Sequence, residues 1–120
     1  MPNTVLTNAR ILDGTGDSSF SGEVRIDGNR IQQISNDGSQ LSRDDADVID
    51  CAGATLMPGL VEAHAHASFG NTSTLEALGE VPIEEHTLMT MKHMKLLLDQ
   101  GFTSINSAAA AKARLDVVIR

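Results

Sequence analysis

The sequence LMPGLVEAHAH, residues 56–66, carries the strongest signals of the fold and of the candidate site. Pro58-Gly59 is a turn signal, and the alternation of side chains over residues 60–66 then predicts a β-strand. On a strand, residues i and i+2 project from the same side about 6.6 Å apart, whereas on a helix they diverge by about 200°. We therefore expect His64 and His66 to hold one metal ion, at about 2.0 to 2.1 Å from each ring nitrogen. The alternative is a pair of exposed strand histidines, because H-x-H is a short motif.

Composition narrows the class of protein. The chain has 120 residues, 41% of them hydrophobic and 21% charged, which is typical of a folded globular unit. A net charge of −7 and only three aromatic residues, all Phe, argue against a nucleic-acid partner. One cysteine, Cys51, excludes an intrachain disulfide and multi-cysteine zinc ribbons, and fits a reducing compartment. With no basic and apolar leader and no run of 18 apolar residues, we expect a cytoplasmic protein without membrane contact.

The first half of the chain has strand patterns interrupted by turn signals, and no helical period. Asp27-Gly28-Asn29 is a hairpin-type connection between two of these strands. The pattern predicts a small antiparallel β unit. Its strands are expected at residues 4–12, 23–26, 30–34 and 48–51.

The second half has the order of a βαβ unit. After the strand at residues 60–66, a helix is predicted from Pro82 to about Gln100. A proline and acidic residues lie at its start, lysines lie in its later part, and a glycine follows its end, and these are the usual signals of helix boundaries. A second strand is expected at residues 102–105 and the start of another helix at 113–120. This order is typical of a parallel sheet. Apolar residues at helical spacing predict a buried stripe on the long helix, consisting of Leu88, Met91, Met94 or Lys95, and Leu98.

Several motifs together resemble the N-terminal portion of the metal-dependent amidohydrolase superfamily, on the branch of imidazolonepropionases and Xaa-Pro and Xaa-Arg dipeptidases. The most specific is the P-G-L-x-x-x-H-x-H run. One departure is Ile105-Asn106-Ser107, where that branch usually carries an arginine. The residues that carry the resemblance are Gly14, 27–31, 50–53, 56–66, 101–104 and 114–120.

The resemblance implies an α/β fold, the start of a (β/α)₈ TIM-type barrel preceded by part of a β-sandwich. Residues 1–58 would be the N-terminal part of a composite β-sandwich domain, and residues 59–120 the first two β/α units of an incomplete barrel. His64 and His66 would bind a divalent metal, most often zinc, as one or two ions. The implied reaction is hydrolysis of a C–N bond in a small-molecule amide, lactam or dipeptide by a metal-activated hydroxide. The catalytic residues remain unknown, because the general base and further ligands would lie on sequence outside these 120 residues.

The alternative function is an inactive fragment, or a subunit that needs a complementary chain to complete the barrel. The 120 residues alone are expected to be inactive, since a catalytic zinc usually has three protein ligands. Unpaired sheet edges and an open apolar face would favour association, including a homo-oligomer. His86 and His93 are about 10.5 Å apart along a helix axis and are assigned to its surface or packing. Glu62 would either support a ligand imidazole or make a plain structural hydrogen bond.

Overall fold

The computed structural model describes residues 3–70 and 72–120, which contain strands and helices in the order expected for a mixed α/β chain. Two compact units are separated between Pro58 and Gly59. The first unit contains β1 (Asn3–Ile11), β2 (Phe20–Asp27), β3 (Arg30–Ser35), β4 (Ala46–Asp50) and β5 (Thr55–Leu56). The second unit contains β6 (Leu60–Ala65), α1 (Leu75–Glu80), α2 (Ile83–Asp99), β7 (Phe102–Ser107) and α3 (Leu115–Ile119).

The first unit is one sheet in the order β3-β2-β1-β4, in which β5 also pairs with β1. The predicted hairpin is confirmed, since β2 and β3 are antiparallel neighbours joined through Gly28, whose φ is +58°. A wholly antiparallel unit is wrong, because β4 and β5 both run parallel to β1. Ala9, Ile11 and Val24 form the buried core of this sheet.

A salt bridge connects the segment after β3 to the sheet. Both Glu23 carboxylate oxygens accept hydrogen bonds from the Arg43 guanidinium at 2.7 Å, and Oε2 also accepts from the Leu41 amide at 2.9 Å. The hydrogen bonds from Arg43 are the main cause that lowers the pKa of the Glu23 carboxyl. Leu41 is buried, although it lies in a polar stretch.

The second unit contains the parallel pair that the sequence predicts. β6 and β7 are parallel neighbours, with Glu62 opposite Ile105 and Ala65 opposite Ser107, and α2 connects them through the intervening chain. The α/β class is therefore confirmed. The sandwich and barrel assignments of residues 1–58 and 59–120 stay predictions.

The predicted buried stripe of α2 is wrong. Leu88, Met91 and Leu98 are 63%, 55% and 57% exposed, whereas His86 and Thr90 are fully buried. The helix is apolar on several sides, so its periodicity did not single out one face. The face of β6 opposite to His64 is also less covered than expected, because Val61 on that face is 66% exposed.

In the part of the chain that the structure describes, none of the helices has both the length and the apolar character needed to cross a bilayer.

Candidate metal centre

The two histidines lie side by side at the end of β6. His64 is inside the strand and His66 follows its last residue, and both are exposed. Their ring centroids are 5.2 Å apart at an interplanar angle of 76°. The expectation that both rings project to one side is therefore confirmed.

The separation of the rings fits a shared ion. A tetrahedral ion bound at about 2.1 Å by one nitrogen of each ring would place the ring centroids about 5 Å apart. The observed 5.2 Å agrees with that distance. Among the hydrogen bonds of residues 3–70 and 72–120, none involves a ring nitrogen of His64 or His66, so the donor atoms are not committed to other described groups. Two neutral imidazoles are also the ligand type that zinc prefers.

The strand end is held in place by its neighbours. The His66 ring stacks on Phe69, with centroids 4.3 Å apart and planes 18° apart. Glu62 accepts a hydrogen bond from the His64 amide through Oε1 at 3.0 Å, so its carboxylate bonds the backbone and not an imidazole. This contact favours the structural alternative for Glu62. Asn106 donates through Nδ2 to the Ala63 carbonyl at 3.2 Å and so ties β7 to the same strand end.

A third protein ligand is not in position within the described residues. In those stretches, no group of three or more His, Cys, Asp or Glu side chains is arranged to hold a metal. The assignment of His64 and His66 as ligands therefore rests on the pair and stays a proposal. Cys51, the lone cysteine, is half-buried in the first unit.

An open cleft of about 420 Å³ borders the His66 ring, and Phe69 and His93 are among its other lining residues. His93 is half-buried, in agreement with a packing role. The stacking of Phe69 on His66 is not predicted from the sequence, although an aromatic residue three positions after the motif is a usable signal in a tight turn.

The buried His86 was also missed as a contact of the site. It is 0% exposed, and its Nε2 lies 2.6 Å from the Ser68 carbonyl oxygen, in the turn that follows His66. The sequence leaves helix surface and packing open for this residue, and its burial shows packing, but its connection to the turn is not visible in the sequence. Helical periodicity does not report contacts with a loop 18 residues earlier in the chain.

No family model matches the chain. Curated relatives match about half of it: a dihydroorotase of Syntrophotalea carbinolica is 37% identical over 62 residues, 52% of this chain and 14% of that protein. A 5′-deoxyadenosine deaminase of Methanothermobacter thermautotrophicus is 46% identical over 65 residues, 53% of this chain and 14% of that protein. The chain thus spans 14% of the length of each of these relatives.

A solved structure extends the similarity to nearly the whole chain. The crystal structure of a Xaa-Pro dipeptidase with bound methionine in its active site superposes with a TM-score of 0.78 at 26% identity. The alignment covers 98% of this chain and 29% of the dipeptidase. These comparisons confirm the resemblance found in the sequence, and this chain is similar to the N-terminal portion of amidohydrolase-superfamily enzymes.

Proposed function

We propose that this chain supplies the N-terminal part of a metal-dependent amidohydrolase that hydrolyses a C–N bond in a small molecule. The observation that carries the proposal is the pair of imidazoles at the end of β6, whose centroids lie 5.2 Å apart. The similarity to a Xaa-Pro dipeptidase supports an amide or dipeptide substrate. The dihydroorotase among the relatives supports a cyclic amide as another member of the same reaction class.

The proposed position in the fold is the first strand of a (β/α)₈ barrel. β6 and β7 are parallel and consecutive in the second unit, as the first two strands of such a barrel would be. Active sites of these barrels lie at the C-terminal ends of the strands, and His64 and His66 lie at that end of β6. Residues 1–58 are proposed to be the N-terminal part of a composite β-sandwich domain.

His64 and His66 would hold a divalent ion, with zinc as the expected metal. When bound, such an ion lowers the pKa of water so that it can attack a carbonyl group near neutral pH. Within this chain, stacking on Phe69 orients the His66 ring. Glu62 accepts a hydrogen bond from the backbone amide of His64 and so restrains the strand at that residue. The neighbouring cleft of about 420 Å³ is large enough to admit a small ligand beside His66.

The other ligands and the general base are proposed to lie outside these 120 residues, in the same polypeptide or in a complementary chain. A catalytic zinc usually has three protein ligands, and the described residues bring together two candidates, His64 and His66. Intact mass and size-exclusion chromatography of the protein from its native source separate the possibilities. A mass several-fold above 12.7 kDa supports a longer polypeptide, and a 12.7 kDa chain that co-elutes with another protein supports a complementary chain.

The experiment that tests the function measures metal content and hydrolysis of Xaa-Pro dipeptides and dihydroorotate by the complete enzyme. We expect His64→Ala and His66→Ala each to remove most of the bound metal and most of the activity. Val61→Thr is the matched control, because Val61 is an exposed residue of the same strand on its other face. Stoichiometric metal together with near-normal turnover in either histidine variant would contradict the proposal.

A further inference from the structure

His86 makes the one side-chain hydrogen bond recorded between α2 and the turn after β6 in the described residues. The residue is fully buried, and its Nε2 lies 2.6 Å from the carbonyl oxygen of Ser68. A carbonyl oxygen only accepts, so Nε2 must carry the proton and donate it. This contact therefore fixes the tautomer of His86 and also satisfies the carbonyl of Ser68, a residue that is itself buried.

The segment held by His86 is the one that orients His66. The Phe69 amide donates to the His66 carbonyl at 3.0 Å, which closes a tight turn over residues 66–69. The two rings at the ends of this turn are the stacked pair, 4.3 Å apart. Ser68 lies inside the turn and is 1% exposed. Its backbone carbonyl is bound by His86, and its Oγ accepts from the Ala111 amide at 2.7 Å.

A second buried polar residue of α2 has no such connection. Thr90 is also fully buried, one turn after His86, and its hydroxyl donates to the His86 carbonyl at 2.8 Å within the helix. Removing the Thr90 hydroxyl leaves the contact between helix and turn intact. Removing the His86 ring leaves the Ser68 carbonyl buried without its donor, which favours a rearranged turn.

We propose that His86 is a positioning residue for the metal pair: its hydrogen bond to Ser68 holds the 66–69 turn so that the His66 ring stays stacked on Phe69 and beside His64. This inference rests on the proposed metal site. Groups that orient a ligand without touching the ion typically change metal affinity by 10- to 100-fold. His86 therefore affects metal binding through the geometry of the turn and not through contact with the ion.

Cobalt(II) titration of the full-length protein, followed by its visible absorption, tests this role. We expect His86→Leu to weaken cobalt affinity at least tenfold and to change the absorption spectrum of the bound ion. Glutamine offers an amide N–H that can reach the Ser68 carbonyl, so His86→Gln is expected to stay within threefold of the unsubstituted protein. Thr90→Val is expected to lower the free energy of unfolding without changing cobalt affinity or spectrum.

The proposal is overturned if His86→Leu binds cobalt within threefold of the unsubstituted protein, or if Thr90→Val weakens binding as much. Equal weakening by His86→Gln and His86→Leu also overturns it, since the donor would then not matter. Should His86→Leu fail to fold, His86→Asn takes its place, because its shorter side chain keeps polarity without reaching Ser68. Unchanged binding in His64→Ala would overturn the metal site itself, whereas loss there with no effect at His86 would overturn only the positioning role.

Discussion

Replacing Gly59 with alanine is expected to disrupt the approach of β6 to β7. A Cβ at this position would lie 2.0 Å from Thr103 Oγ1, 2.3 Å from its Cγ2 and 2.6 Å from its Cβ. Nonbonded carbon atoms prefer separations of about 3.5 to 4.0 Å. The φ of Gly59 is not positive, so alanine adds no backbone strain of its own and the effect isolates the clash.

The size of the effect follows from where the clash occurs. Rotation of the Thr103 side chain would move Oγ1 and Cγ2 but not Cβ, which is bonded directly to the backbone of β7. Relief therefore needs movement of one strand. Overpacking that shifts backbone typically costs about 1 to 3 kcal/mol, and with three contacts below 3 Å we expect Gly59→Ala to lower the free energy of unfolding by about 3 kcal/mol.

Urea unfolding followed by circular dichroism measures this change through the linear dependence on denaturant. A double-mutant cycle with Thr103 identifies its cause. Thr103→Gly removes all three clashing atoms and is expected to recover most of the loss in the Gly59→Ala background. Thr103→Ala keeps the Cβ contact at 2.6 Å and is expected to recover little. If Gly59→Ala lowers the free energy of unfolding by less than about 1 kcal/mol, or by the same amount whatever residue stands at position 103, the clash with Thr103 is not the cause of the loss.

Three further predictions concern stability. Gly22→Ala should lower the free energy of unfolding by at least about 3 kcal/mol in urea, because its Cβ would lie 2.0 Å from the Ser35 carbonyl oxygen; a loss under 1 kcal/mol would contradict this. Arg43 lowers the pKa of the Glu23 carboxyl in the folded state. The stability that this pair contributes is therefore fully present above the pKa of Glu23 in the unfolded state, and it is lost as the pH falls through the pKa in the folded state. Urea midpoints between pH 6 and pH 2 should therefore fall less in Glu23→Gln than in the unsubstituted protein, and equal slopes would be inconsistent with the pairing. Thr74→Ala should cost about 0.5 to 1 kcal/mol, because the Thr74 hydroxyl caps α1, and Thr74→Ser should retain that stability by the same assay.

The sequence predicts most regular elements because their patterns are local. The long helix expected over 82–100 is Ile83–Asp99, and the strand expected over 60–66 is Leu60–Ala65. Proline, acidic residues and glycine mark the ends of the helix by their backbone preferences, which do not depend on the rest of the fold. Two short elements are not predicted from the sequence, β5 with two residues and α1 with six. Thr74 at the N-cap, followed by the acidic Glu76 in the first turn, is a local start signal for α1.

The candidate site was predictable only in part. The i, i+2 spacing placed the rings of His64 and His66 on one side of a strand, and they lie 5.2 Å apart. The contacts that hold them depend on chain folding over longer distances, such as His86 with Ser68 and Asn106 with Ala63. A histidine on an apolar helix and an asparagine at a strand end have many possible partners. Only the paired strands and the packed helix select among them.

Zinc-edge anomalous diffraction from crystals of the zinc-loaded protein locates the ion relative to the two histidines. We expect an anomalous peak about 2.0 to 2.1 Å from one nitrogen of His64 and one nitrogen of His66. Zinc bound elsewhere, with neither ring within ligand distance of a peak, would contradict it.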